Sequence, residues 1–99
     1  MIYIVVPTFG RIEETKKFLI SIKNSVKKEH LVLIIDDHPD KVTQKSIKQD
    51  RQIKVLISEK ELWWVGSINF GIKHIFEQYT LKGDDIVVFA NNDVQIDEV

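Results

Sequence analysis

Oxygen-bearing side chains follow an apolar segment near the end of the chain. The apolar run at residues 86–90 stops at Asn91, Asn92 and Asp93. One carboxylate beside two carboxamides offers the hard oxygen ligands that Mg²⁺ and Mn²⁺ prefer, with water and substrate phosphates completing the coordination. Asn and Asp are also common turn residues, so the segment fits an ordinary turn about equally well. The residues therefore indicate a candidate cation site, with a simple turn as the alternative.

Two other apolar runs end in residues that suit a binding site. Asp36 and Asp37 follow the run at residues 31–35, and a Pro-Thr-Phe-Gly turn at residues 7–10 follows the run at residues 2–6. Short apolar runs bounded by polar residues are typical of strands that a parallel sheet buries on both faces. In open α/β sheets, small molecules bind outside the carboxyl ends of the strands. We therefore expect all three strand ends at one ligand-binding edge.

The first helix and the remaining strand follow from periodicity. Residues 11–27 carry apolar side chains at three- and four-residue spacing, with two glutamates at the start and lysines at the end, as the helix dipole favours. Residues 53–57 are short and rich in β-branched side chains, which predicts a third strand near an edge of the sheet. Pro7 lacks an N–H group and is expected to end the first strand.

The second helix is predicted after Trp63 and Trp64 and through Gln78. Gly66 and Gly71 lie inside it, although glycine costs about 1 kcal/mol relative to alanine in a helix interior. This cost indicates close approach of a ligand or of another part of the backbone. The apolar stripe of this helix consists of Val65, Ile68, Ile72, Ile75, Phe76 and Tyr79.

Strands that alternate with helices predict an α/β fold with a mostly parallel, Rossmann-like sheet flanked by helices. The strand order 3-2-1-4 reverses the chain direction between the first and fourth strands, and the binding crevice opens at that reversal. With 99 residues the chain is expected to form one small domain over residues 1–99. No G-x-G-x-x-G motif follows the first strand, which argues against a dinucleotide-binding enzyme.

The amino-acid composition excludes some kinds of partner and some kinds of site chemistry. The chain has 14 Lys and Arg against 15 Asp and Glu, a net charge of −1, and this balance argues against nucleic-acid binding as the main function. It contains no cysteine, which excludes disulfides, thiolate zinc sites and cysteine nucleophiles.

Four segments together resemble the nucleotide-binding half of family-2 glycosyltransferases with the GT-A fold. They are Ile-Val-Val-Pro-Thr-Phe-Gly-Arg at residues 4–11, Ile-Ile-Asp-Asp at 34–37, Trp-Trp-Val-Gly-Ser-Ile-Asn-Phe-Gly at 63–71 and Phe-Ala-Asn-Asn-Asp-Val at 89–94. Each is weak alone, but the four occur in the family's order and span nearly the whole chain. The resemblance implies a nucleotide-diphospho-sugar-binding domain of an inverting, metal-dependent transferase.

The resemblance also implies roles for the strand-end residues. Pro7, Thr8 and Phe9 would cup the nucleotide base. Asp36 and Asp37 would accept hydrogen bonds from the base N–H groups or the ribose hydroxyls.

The segment at residues 91–93 corresponds to the family's Asp-x-Asp motif. Asp93 would bind the divalent Mn²⁺ or Mg²⁺ that bridges the donor diphosphate, and Asn91 or Asn92 would lie near the ribose. Asn stands where the family has its first Asp, which lowers the charge of the site and puts tight metal binding in question.

Residues at the two helix starts complete the expected site. Arg11 would pair with a phosphate, with a solvent-facing or capping role as the alternative. Gly66 and Asn69 would admit the donor at the first turns of the second helix, with helix packing as the alternative explanation for the glycines. The two tryptophans fit either stacking on a ligand or burial in the core.

The family places its general base and acceptor site beyond the metal motif, so the catalytic base is expected beyond residue 99 and the chain alone is expected to be inactive. A sheet cut at this point would expose an edge and favour homo-oligomers. The resemblance further implies a UDP- or TDP-sugar donor, a glycan or lipid-linked acceptor, similarity to rhamnosyltransferases, and a cytoplasmic location at the inner membrane face.

Two other classes of protein stay open. A small signalling domain of receiver or flavodoxin-like type also binds Mg²⁺ through carboxylates, but receiver domains carry their acidic pair after the first strand, where this chain has Pro7 and Thr8. A homologue that binds nucleotide without catalysis is the other alternative.

Overall fold

The computed structural model describes residues 1–8, 11–36, 45–58 and 63–90, without the side chains of residues 63 and 64. Within these ranges the elements are β1 (Ile2–Thr8), α1 (Ile12–Ser25), β2 (His30–Asp36), β3 (Ile53–Ile57), α2 (Trp63–Gln78) and β4 (Ile86–Phe89). The described strands are all parallel and lie in the order β3-β2-β1-β4. The predicted fold class and strand order are confirmed.

The two central strands are buried on both faces, as their β-branched composition predicts. Every residue of β2 is buried, and so are residues 3–6 of β1. The core on the α1 face consists of Ile4, Val6, Phe18, Ile22, Val32, Ile34, Ile47 and Val55. The core on the α2 face consists of Tyr3, Val5, Leu31, Leu33, Ile35, Ile68 and Ile75.

Pro7 lies inside β1 and pairs with Ile35, so the expectation that it ends the strand is wrong. The N–H group of Ile2 points toward the β2 side of β1. Strand N–H groups alternate in direction, so the position of the missing Pro7 N–H faces β4. The last described pair on that side is formed by Phe89 with Val5. Proline therefore removes no described ladder hydrogen bond.

Helix α1 buries the stripe that its periodicity predicts. Thr15, Phe18 and Ile22 are buried, two glutamates lie in the first turn and Lys23 lies in the last. In the described part of the chain, neither helix is long and apolar enough to cross a membrane.

Helix α2 is rotated about its axis relative to the predicted stripe. Val65 and Phe76, which the stripe includes, are 66 % and 67 % exposed, while Ser67 and Gly71 are buried. The helix turns its smallest side chains toward the sheet, because small residues allow its backbone to come closer. The stripe prediction is therefore wrong for Val65 and Phe76.

At Gly71 the backbone of α2 packs tightly against the sheet. A Cβ atom built on Gly71 would lie 2.6 Å from Cγ1 of Val5 and 3.5 Å from Cδ1 of Ile35. The first distance is far inside van der Waals contact, and Val5 is fully buried. Of the two explanations for this glycine, helix packing is the one that the structure supports.

Strand β4 is an exposed edge, and the expectation that it is buried on both faces is wrong. Ile86, Val88 and Phe89 are 55 %, 38 % and 43 % exposed. The reason is position: β4 pairs with β1 on one side, and among the described residues no strand pairs with its other side. Helix α2 packs mainly over β1 and β2, which leaves β4 partly uncovered.

Polar side chains protect the opposite edge. The carboxylate of Asp50 accepts hydrogen bonds from the N–H groups of Gln52 and Ile53 at 2.7 and 2.9 Å. The side chain of Gln49 accepts one from the N–H group of Val55 at 3.0 Å. These contacts satisfy the outward N–H groups of Ile53 and Val55. The strand order confirms that β3 lies at an edge of the described sheet.

Asp85 anchors the start of β4. Its carboxylate accepts hydrogen bonds from the backbone N–H of Lys82 at 2.9 Å and from the amino group of Met1 at 3.1 Å. The Lys82 N–H and then the Met1 amino group hold the pKa of Asp85 below its usual value. The ionised carboxylate therefore joins the first residue of the chain to the turn before β4.

We expect Gly71→Ala to destabilise the fold by about 1–2 kcal/mol, because overpacking typically costs about 1–3 kcal/mol and the gain in helix propensity offsets up to about 1 kcal/mol. Urea unfolding measures the change. Gly83→Ala is the control, since a methyl group at that position would meet nothing within 4 Å. In a Val5→Ala background the new methyl has room, so Gly71→Ala should become stabilising there; an equal loss in both backgrounds would contradict the packing explanation.

The lowered pKa of Asp85 determines how its contribution to the stability of the fold changes with pH. The carboxylate binds its proton less readily in the folded state, so its stabilisation is fully present above the usual carboxyl pKa and declines as the pH falls below about 5. Asp85→Asn should therefore lower the urea midpoint at pH 7, and this difference should shrink as the pH falls through the lowered pKa of the folded state. A difference that grows on acidification would contradict this assignment.

Candidate functional site

The register of the sheet brings the first two strand ends together. Thr8 is paired with Asp36 across β1 and β2, so both strands end at the same level. Asp36 is paired in turn with Ile57 of β3. The carboxyl ends of β1, β2 and β3 thus form one edge, and the order of the strands reverses next to it between β1 and β4. The predicted juxtaposition is seen for the ends of β1 and β2, whereas the segment after β4 lies outside the described residues.

Buried polar residues line this edge. Thr8, Asp36 and Ser58 are all buried, with Asp36 fully enclosed. The Thr8 hydroxyl donates to the Ile35 carbonyl at 3.4 Å, and the Ser58 N–H donates to the Asp36 carbonyl at 3.2 Å. Among the described residues, no buried side-chain polar atom lacks a hydrogen-bond partner. The row is therefore held in place before any ligand binds. We call Thr8, Asp36 and Ser58 the polar row.

Ser58 is the member of this row that sequence reasoning missed. It is the first residue after β3. The available signal was its position, because it follows β3 as Asp36 ends β2.

Pro7 and Arg11 lie close in sequence to the polar row. Pro7 is half-buried within β1. Arg11 precedes α1, is exposed, and has its guanidinium 4.0 Å from the Glu14 carboxylate. Exposed pairs at this distance contribute little to stability, and the Arg11 carbonyl accepts the Thr15 N–H at 3.0 Å. Arg11 therefore faces solvent, which agrees with the alternative role given for it. Its contact with a phosphate stays a prediction.

Gly66 and Asn69 occupy the first turns of α2, the helix that follows β3. Gly66 is half-buried and Asn69 is exposed, whereas Ser67 between them packs inward. A helix that follows a strand in a βα unit begins at the carboxyl edge, so its N-terminal N–H groups suit an anion there. Their proposed contact with the donor is untested.

Several predicted site residues lie outside the described part of the chain. They are Phe9, Asp37, Asn91, Asn92 and Asp93. The last described contact before the final three is the Ala90 N–H donating to the Val5 carbonyl at 3.1 Å. The chain therefore runs toward the carboxyl edge as it leaves β4. The side chains of Trp63 and Trp64 are likewise outside the described residues.

The described residues alone do not supply a complete metal site. Within them no group of three His, Cys, Asp or Glu side chains could hold an ion. Mg²⁺ commonly binds through one or two carboxylates together with substrate phosphates and water. The oxygen-rich carboxyl edge is chemically compatible with that arrangement if Asp93 supplies the carboxylate.

A cavity at the opposite edge of the sheet is a competing candidate for a ligand site. It has a volume of 470 Å³ and is lined by Met1, Glu29, His30, Asp50, Arg51 and Gln52. These residues surround the amino ends of the strands. The His30 ring is within 2.9 Å of the Lys28 carbonyl, and Asp50 is occupied with the β3 turn. The lining groups thus serve local structure.

A parallel sheet with a strand-order reversal and a buried polar row at its carboxyl edge defines an α/β domain suited to binding a small molecule there. The family model for Glycosyl transferase family 2 matches residues 3–98, and the chain belongs to this family. Its sheet is consistent with the N-terminal half of a GT-A fold. Substrates of the family are in general a nucleotide-sugar donor and an acceptor. Searches of curated proteins and of solved structures found no match.

If the polar row binds the donor, Asp36→Asn should weaken binding of UDP or TDP roughly 10-fold or more, because hydrogen bonds to charged groups are worth about 1.5–3 kcal/mol. Isothermal titration measures the affinity, and circular dichroism confirms the fold. Asp84→Asn is the matched control, since Asp84 is exposed in the turn before β4. Equal affinities for the two variants would exclude Asp36 from the site.

Proposed function

We propose that this chain is the donor-binding part of a metal-dependent, inverting glycosyltransferase. The single observation that carries the proposal is the combination of the family match with a preformed polar row at the carboxyl edge. Because residues 3–98 match this family, we do not propose a receiver or flavodoxin-like signalling domain.

The proposed donor site spans the reversal between β1 and β4. Pro7, Thr8 and Phe9 hold the base, and Asp36 with Asp37 accepts hydrogen bonds from the base or the ribose. Thr8 and Asp36 support this arrangement because they are adjacent and fixed by the register. The Asp36 carboxylate is buried and already has a hydrogen-bond partner, so its orientation is set before a ligand arrives.

The remaining contacts concern the ribose and the diphosphate. Asn91 or Asn92 lies near the ribose, Asp93 carries the divalent Mn²⁺ or Mg²⁺, and Arg11 is a further phosphate contact. Gly66 and Asn69 leave space at the start of α2.

Glycosyl transfer separates a sugar from a negatively charged nucleoside diphosphate. A bound divalent metal acts as a Lewis acid that stabilises charge developing on that leaving group. The residues of this chain bind and orient the donor, while the general base that deprotonates the acceptor belongs to the acceptor-binding half of the family fold. We propose a UDP- or TDP-sugar donor, with a rhamnosyltransferase-like member as the most specific version, and a glycan or lipid-linked acceptor.

Self-association of the isolated chain is part of the proposal. The outer edge of β4 and its apolar side chains support pairing between copies.

Thermal unfolding with nucleotides tests the donor site. UDP or TDP at about 100 times its dissociation constant should stabilise the fold by about 2.7 kcal/mol in the presence of Mn²⁺. For a domain of this size that shift corresponds to roughly 10 °C or more. GDP and NAD serve as nucleotide controls.

The metal contribution is tested with Asp93→Ala. This change should abolish the Mn²⁺-dependent part of the stabilisation, and Asp84→Ala should retain it. No stabilisation of the unaltered chain by UDP or TDP would contradict the proposed donor site, whereas stabilisation that ignores Mn²⁺ would contradict metal dependence alone.

A further inference from the structure

The outward side of α1 carries lysines around one exposed isoleucine. Lys16, Ile20 and Lys23 follow one another at four- and three-residue spacing, so they lie on one side of the helix. Ile20 is 60 % exposed, and both lysines are exposed. Phe18, on the opposite side of α1, is buried against the sheet. The large apolar side chain of Ile20 is therefore exposed to solvent between the two lysines.

Ile20 also separates two grooves with apolar floors. The first, of 310 Å³, is lined by Lys16, Leu19, Ile20, Ser46, Ile47 and Lys48. The second, of 240 Å³, lies toward β3 and shares Leu19 and Ile20 with the first, while Lys23 stands at its rim. Each groove thus combines apolar walls with at least one lysine. We call Lys16, Lys17, Ile20, Lys23 and Lys48 the α1 outer face.

The lysines of the α1 outer face are available to an external anion. In the described part of the chain, no ion pair joins any of the four to a carboxylate. Glu14 faces Arg11. Among the residues described for α1, Glu13 is the one exposed carboxylate on the same side as Ile20, against the four lysines of the α1 outer face. Asp50, which borders the second groove, accepts two backbone N–H groups. The whole chain has a net charge of −1, so this positive charge is a local feature.

We propose that the α1 outer face docks on an anionic lipid bilayer, with Ile20 inserted among the headgroups and the lysines against lipid phosphates. Lysines are attracted to an anionic leaflet, and an apolar side chain between them adds area that the acyl-chain boundary of a bilayer buries. A nucleic acid offers phosphates but no such apolar phase. Because α1 lies across one face of the sheet, this docking leaves the carboxyl edge uncovered. The proposal does not depend on the donor chemistry.

Flotation of the purified chain with lipid vesicles tests this surface. One set of vesicles contains phosphatidylcholine alone, and the other contains phosphatidylcholine and phosphatidylglycerol in equal parts. We expect binding to the anionic vesicles, weakening as salt is added because exposed charges are screened. Equal binding to both sets, or binding to neither, would overturn the proposal.

Two double variants test whether vesicle binding depends on the α1 outer face or on the total charge of the chain. Lys16→Gln/Lys23→Gln should lose roughly 10-fold or more in vesicle affinity, since each lysine near an anionic surface contributes about fivefold. The control Lys73→Gln/Lys82→Gln removes the same charge from α2 and from the turn before β4, and it should bind like the unaltered chain. Equal losses for the two pairs would show attraction by total charge and would overturn the assignment to α1.

The contribution of Ile20 distinguishes a membrane from another polyanion. Ile20→Ser should weaken vesicle binding roughly 10-fold and leave the salt dependence unchanged. A single-stranded RNA oligonucleotide is the competing ligand. If the chain binds RNA as tightly as the anionic vesicles, or if Ile20→Ser has no effect on vesicle binding, a lipid surface is the wrong partner.

Discussion

The parallel register of β1 and β2 is the constraint on which the rest of this structure depends. It pairs Thr8 with Asp36, so two strands end together and place a hydroxyl and a carboxylate at one edge. A shift by one residue would move every side chain to the opposite face of the sheet and would turn core residues toward the wrong helix. The two apolar cores therefore fix the register, and the register assembles the candidate site.

Close packing of α2 reinforces that arrangement. Gly71 lets the helix backbone approach Val5 on β1, and the start of the same helix lies at the carboxyl edge. Stability and site geometry are thus coupled through one contact, because a wider separation between α2 and the sheet would also displace the helix start. The exposure of Val65 and Phe76 is a consequence of this orientation.

Much of the fold follows from local patterns in the sequence. The bounds of β3 were predictable because they coincide with a short β-branched run, and the parallel arrangement was predictable because strands alternate with helical stripes over most of the chain. Three features were not. Hydrophobic periodicity does not reveal that Ser67 and Gly71 face the sheet together with Ile68 and Ile75, so the predicted stripe of α2 was wrong for Val65 and Phe76. The exposure of β4 depends on what lies beside it, which composition does not report. Pro7 fits a central strand only because of the direction in which its absent N–H would point.

The site residues that end a strand were predictable from the sequence. Thr8 and Asp36 are adjacent as expected, whereas Ser58 lies one residue beyond the last β2–β3 pair and is linked to them by its N–H, which donates to the Asp36 carbonyl. The roles of Asp37 and Asp93 rest on the family resemblance, since both lie outside the described residues.

The most direct measurement is an amide NMR titration of the ¹⁵N-labelled chain with UDP and with TDP in the presence of Mg²⁺. Binding at the carboxyl edge predicts that the signals of Thr8, Asp36 and Ser58 shift together and saturate with one dissociation constant. The amides of His30 and Gln52, at the amino edge, should remain in place. Shifts confined to His30 and Gln52, or no saturable shift with either nucleotide, would contradict a donor site at the polar row.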